Sequence, residues 1–115
     1  MRAINDGKFL YIWNGWADGE MAFKNESQAG LSFKAMANSD DPAVRERAKF
    51  FQYRCPEELY DLTKDPDCLN NLIAKPNNKY SSRTSAMTKA LWHWMKDTED
   101  PQLKLFQSQV ELALD

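Results

Sequence analysis

The sequence has two cysteines and one histidine among 115 residues. Two cysteines cannot build a disulfide framework, and with His93 they fall short of a four-ligand zinc site. Glycine is also sparse: four residues, scattered, none in a Gly-rich loop that could cradle a phosphate. No apolar run approaches the roughly 20 residues that a membrane span requires. Neither charge dominates, since 15 Lys and Arg stand against 17 Asp and Glu, so no basic excess points to nucleic acid or an anionic membrane. The opening residues do not read as a signal peptide, because Arg2 leads into a turn and not into an apolar stretch. What remains is ordinary for a soluble globular chain: 43% apolar and 28% charged residues, in a length that suits one domain with one modest core.

The chain opens on a hairpin. Met1 to Asn5 alternates and runs into Asp6-Gly7, a strong two-residue turn signal, and Lys8 to Trp13 follows as an aromatic and β-branched strand. Such a turn pairs Asn5 with Lys8, Ile4 with Phe9, Ala3 with Leu10 and Arg2 with Tyr11. One face then carries Ile4, Phe9, Tyr11 and Trp13, with Arg2 across Tyr11. The other carries Met1, Ala3, Leu10 and Ile12. Both faces are apolar, so the hairpin calls for cover on both sides. A chain that begins directly in a strand is expected to continue something longer upstream.

Asn14 to Ser27 reads as loop, with Asn14-Gly15 and Asp18-Gly19 as turn signals. Trp13, Asn14 and Trp16, with Phe23 and Lys24 beyond, support two readings. They are hydrophobic anchors pinning a loop, or a rim that stacks on a sugar ring. Gln28 to Asn38 predicts a short helix without a clean apolar face. Ser39-Asp40-Asp41-Pro42 starts another, with Asp41 as cap and Pro42 at the first helical position. That helix should reach about Phe51 and bury Val44, Ala48 and Phe51.

Cys55-Pro56 ends the helical region, and Glu58 to Leu62 reads as a strand expected to pair beside the hairpin. Asp65-Pro66-Asp67 supplies turn chemistry, and Asn70 and Asn71 offer oxygens to open a helical turn. The acids Asp61, Asp65 and Asp67 invite comparison with a calcium loop. The comparison fails, because an EF-hand register from Asp61 finds Pro66 and Leu72 where Gly and Glu are needed. No metal ligands are assigned. Pro76 and Asn77-Asn78 precede a long helix, Lys79 to Asp97, with Met87, Ala90, Leu91, Trp94 and Met95 on one stripe, Trp92 on its flank and His93 pointing away. Thr98-Glu99-Asp100-Pro101 ends it, and Gln102 to Leu114 reads as a weaker helix. His93 has no sequence-near nucleophile, so no catalytic residue is assigned either.

Three stretches together resemble the C-terminal region of the sulfatases, the hydrolases of sulfate esters and sulfamates in the alkaline-phosphatase-like superfamily. Pro56 to Leu72 is similar to the family segment EELYDL-x-x-DP-x-x-x-NL. Met1 to Trp13 resembles its hairpin of the form RAIR-x-x-x-YKYI, and Leu91 to Pro101 resembles its closing W-M-x-x-T-x-DP helix, an ending shared especially well by heparan N-sulfatase-like members. The resemblance covers the chain from its first strand to Pro101. It implies an α+β fold in which a small antiparallel sheet, the hairpin plus the strand near 58–62, packs against the long C-terminal helix, with additional short helices.

It also implies what is missing. The family's nucleophile lies in a C/S-x-P-S/A-R motif, where Cys or Ser becomes formylglycine, and a calcium ion polarises the sulfate. Cys55-Pro56-Glu57 is not that motif, so the resemblance places formylglycine, calcium and every catalytic group in an absent N-terminal α/β domain. The fragment is expected to be inactive alone, to partner that catalytic domain, and to form a homodimer through its exposed sheet face. Sulfatases of this kind are commonly periplasmic, secreted or lysosomal. The competing reading is a stand-alone carbohydrate-binding or protein-interaction module built on Trp13, Asn14 and Trp16.

Overall fold

A computed structural model of the chain describes residues 1–74 and 79–110. The expected caps at Asn77-Asn78, and the last residues of the C-terminal helix, lie outside them. The fold is α+β, and the chain divides into two compact units, Trp16–Pro56 and the remainder.

The larger unit is built on a three-stranded antiparallel sheet of β1 (Arg2–Asn5), β2 (Phe9–Trp13) and β3 (Glu57–Asp61), in that order. The third strand does pair beside the hairpin, shifted one residue toward the N-terminus of its predicted range. The hairpin register differs from the two-residue expectation: Asn5 faces Leu10, Ile4 faces Tyr11 and Arg2 faces Trp13. The cause is Asp6. Its Oδ1 accepts the backbone N–H groups of Lys8 and Phe9 at 2.9 and 2.7 Å, while Asn5 Oδ1 accepts that of Gly7, whose φ is +92°. These side-chain bonds hold a wider loop. The slip is two residues, so every side chain keeps its predicted face.

The face of Ile4, Phe9, Tyr11 and Trp13 is covered by helices. α3 (Ser81–Asp97) buries Met87, Thr88, Leu91 and Met95, and α4 (Leu103–Gln109) buries Phe106. With Tyr11, Trp13 and Leu59 these apolar side chains form the core, and Leu72, Ile73, Tyr80, Trp92 and Leu103 pack around it. Arg2 does not lie over Tyr11. It reaches the end of α3 and grips Asp100 through Nε–Oδ2 at 2.5 Å and Nη2–Oδ1 at 2.9 Å. The helix ends in a Schellman turn, with Glu99 at φ 54° and the Asp100 N–H donating to the Met95 carbonyl at 2.8 Å. That turn aims Asp100 at Arg2. Trp94, expected on the buried stripe, is 54% exposed, and Ala90 is exposed as well. The narrow sheet is covered by the arc of Met87, Leu91 and Met95, and the residues one step round the helix fall outside it.

The second sheet face carries Ala3, Leu10 and Ile12 with Glu58 and Tyr60. Ile12 is 8% exposed, Tyr60 2% and Glu58 0%. Ala3 is exposed and Leu10 half-buried.

The smaller unit holds a 3-10 turn (Glu26–Ala29), α1 (Leu31–Ala37) and α2 (Pro42–Tyr53). Gln28 to Asn38 is thus a 3-10 turn and a helix broken at Gly30, not one helix. Asp41 caps α2 as expected, its Oδ1 accepting the Ala43 N–H at 2.9 Å, and Pro42 takes the first helical position. Ala48 is buried, while Val44 and Phe51 are half-buried; Phe51 meets Phe33 of α1 at 5.9 Å between ring centroids.

Candidate functional site

The residues with the strongest sequence claim to a binding role sit at the end of β2 and just after it. Trp13 lies on the core face with 1% exposure. Phe106 stands edge-on to its indole at 5.0 Å and 62°, and its Nε1 donates to Gln109 Oε1 at 2.9 Å. Gln109 Nε2 in turn donates to the Gly15 carbonyl at 3.2 Å, so α4 holds both the ring and the loop that follows it. Asn14 is fully buried, and its Nδ2 donates to Glu58 Oε2 at 2.6 Å. Neither side chain presents a face to a sugar. Trp16, in the smaller unit, is half-buried and stacks on Phe23 at 5.3 Å and 24°. An aromatic-rich loop carries the same signature whether its rings anchor a core or line a rim, and at Trp13 the structure has a core anchor.

What the larger unit brings together is a chain of polar side chains that sequence reasoning had treated as strand and turn. Glu58 accepts from Asn14 and, through Oε1, from the Tyr60 hydroxyl at 2.6 Å, a pairing of neighbours two residues apart on one face of β3. On the opposite face the Tyr11 hydroxyl donates to Glu57 Oε1 at 2.8 Å. Burial, reinforced by the Glu57 carboxylate, pushes the Tyr11 phenol well above its ordinary value, so it stays a neutral donor. Asn71 acts as a substitute strand along the outer edge of β3. Its Oδ1 accepts the Leu59 N–H at 3.0 Å and the Ile73 N–H at 3.1 Å, and its Nδ2 donates to the Glu57 carbonyl at 3.0 Å.

Of the three aspartates considered for calcium, Asp61 and Asp65 are engaged with the nearby chain. Asp61 Oδ1 accepts from the Thr63 hydroxyl and N–H, bonds that lower its carboxyl below the usual range. The Asp65 carbonyl closes the turn across Pro66 by accepting the Cys68 N–H at 3.1 Å, and its carboxylate takes the Leu69 and Asn70 N–H groups at 3.0 and 2.9 Å. Among the described residues no cluster of three or more His, Cys, Asp or Glu could hold a metal ion. His93 is exposed, edge-on to Trp92 at 5.1 Å, and makes no hydrogen bond among the described residues. The buried cluster around Glu58 was hidden in the sequence because EELYD reads as simple alternation; the one available sign was a Glu and a Tyr spaced two apart on a face that must also bury Ile12.

In the smaller unit, the 3-10 turn, α1 and α2 border an open apolar pocket of about 210 Å³ lined by Ser27, Ser32, Phe33, Met36, Arg47 and Phe51. It has room for a small apolar group and presents little polar surface to orient one. Chemically, the described residues supply a rigid hydrogen-bonded scaffold and no assembled nucleophile and base. No protein-family model matches the chain, and no curated protein matches it.

Proposed function

We propose that the chain is the smaller, C-terminal subdomain of a sulfatase, a hydrolase of sulfuric esters or sulfamates, and that it supports the catalytic domain and the wall of its substrate cleft without supplying a catalytic residue. One observation carries this reading. The three stretches that resemble the family, distant in sequence, lie in one compact unit and hold one another. β2 of the first stretch pairs with β3 of the second through five Cα-matched positions, from Phe9–Asp61 to Trp13–Glu57, and the helix of the third stretch covers the face they share. Arg2 of the first stretch grips Asp100 of the last. In the most family-like stretch Glu57, Glu58, Tyr60, Asp61, Asp65 and Asn71 all make side-chain hydrogen bonds within the fold. Calcium and formylglycine then belong to the partner domain, as does any choice between ester and sulfamate. A sugar-stacking module on Trp13 has less support, because Phe106 and Gln109 already occupy that ring.

The test is genetic and enzymatic. The reading frame upstream of Met1 is expected to run on through a C/S-x-P-S/A-R motif, and the isolated chain to hydrolyse no aryl sulfate with calcium present. An in-frame stop just upstream, or calcium-dependent turnover by the purified chain, overturns the reading.

A further inference from the structure

The two edges of the sheet are finished differently. In β3 the outward groups are those of Glu57, Leu59 and Asp61, because the Leu62 N–H donates to the Lys8 carbonyl at 2.8 Å and the alternation of an antiparallel ladder follows from it. Asn71 covers this edge. In β1 the Asp6 N–H donates to the Phe9 carbonyl at 3.2 Å, which directs the backbone of Arg2 and Ile4 toward β2 and that of Ala3 and Asn5 outward. Ala3 and Asn5 are exposed, and their outward N–H and C=O groups have no partner among the described residues. No proline, bulge or lysine guards this edge.

We infer that the β1 edge is a self-association site at which a second copy of the chain adds its own β1 antiparallel across a two-fold axis through Ile4. That register is the one the outward groups select: Ala3 of each copy exchanges both hydrogen bonds with Asn5 of the other. It also sets Arg2, held by Asp100, opposite the second copy's Asp6, held by its own Arg83 at 3.1 Å, so that no like charges are directly opposed. The interface is isologous and extends the sheet through both copies. It is a route to a dimer separate from the sheet face, and it stands apart from the sulfatase reading.

Proline at position 3 separates this pairing from the fold, because the Ala3 N–H makes no bond to β2. In sedimentation from micromolar to millimolar concentration, the wild type and Ala3→Val are expected to pass from monomer to dimer, with Ala3→Pro weaker by roughly tenfold or more. Amide exchange on the wild type gives a readout that does not depend on Ala3→Pro folding. The Ala3 and Asn5 amides should gain protection with concentration while that of Leu59, already bonded to Asn71, does not. A wild type monomeric into the millimolar range, an Ala3→Pro chain that folds and dimerises like the wild type, or a dimer with no change at those two amides overturns the inference.

Discussion

Replacing Arg2 with Met tests whether the first strand is tied to the end of the last long helix by charge. Met keeps an unbranched stem and removes both bonds to Asp100, at 2.5 and 2.9 Å. The Arg2 side chain is 30% exposed and that of Asp100 7%, so the pair lies between a surface ion pair and a buried one. The first class contributes up to about 1 kcal/mol, and breaking the second costs about 3–5 kcal/mol. Asp100 also accepts the Gln102 N–H at 2.9 Å, so it is not stranded when Arg2 is gone. The expected loss is about 1–2 kcal/mol at neutral pH, read from urea unfolding followed by tryptophan fluorescence. The pH dependence has a definite sign. The Arg2 guanidinium, with help from the Gln102 N–H, holds the Asp100 carboxyl below its ordinary value. A carboxyl depressed in the folded state contributes stability that is complete above its unfolded value, about 3.9, and lost as pH falls through the folded value. The gap between wild type and Arg2→Met should therefore close in strong acid. Equal stabilities at pH 7, or a gap that persists once carboxylates are protonated, would refute this account.

Leu91→Ala should cost about 2–5 kcal/mol and Trp94→Ala less than about 0.5 kcal/mol in the same urea assay, because Leu91 is 1% exposed and Trp94 54%. Asn71→Ala deletes bonds to Leu59, Ile73 and Glu57, and should cost about 1–3 kcal/mol and speed exchange of the Leu59 amide. Gly15→Ala sets a Cβ 2.5 Å from the Trp13 ring, which Phe106 and Gln109 hold in place, and should lower stability by about 1–3 kcal/mol in thermal unfolding. Glu99→Gly relieves a left-handed residue at φ 54° in the Schellman turn and should raise stability by up to about 1 kcal/mol.

The fold class and the neighbour of each strand were legible because they rest on alternation and on turn residues, which act locally. β3 follows from a short apolar alternation after Cys55-Pro56, and the start of α2 from Asp41-Pro42. The hairpin register was not legible, since Asp6-Gly7 suits a two-residue turn while the Asp6 side chain, free to bond ahead, holds a wider one. Trp94 was misplaced for a different reason. Helical spacing identifies a stripe, and the width of the stripe that is covered depends on the sheet beneath it. Trp13 and Asn14 show the limit for sites. The sequence put them where a strand passes into a loop and a ring could face a ligand, and the tertiary contacts with Phe106, Gln109 and Glu58 turn them inward.

The stretch from Glu57 to Leu72 joins these points. A carboxylate that does chemistry needs lone pairs aimed at a cleft, with a neighbour that tunes its proton. Here Asp61 and Asp65 spend theirs on backbone N–H groups, Asn71 spends its amide on the edge of β3, and Glu58 accepts from Asn14 and Tyr60. Such residues are as tightly specified by geometry as catalytic ones, because each must fit a fixed set of donors. In this stretch they specify how the sheet is closed and how the chain turns toward its last helix.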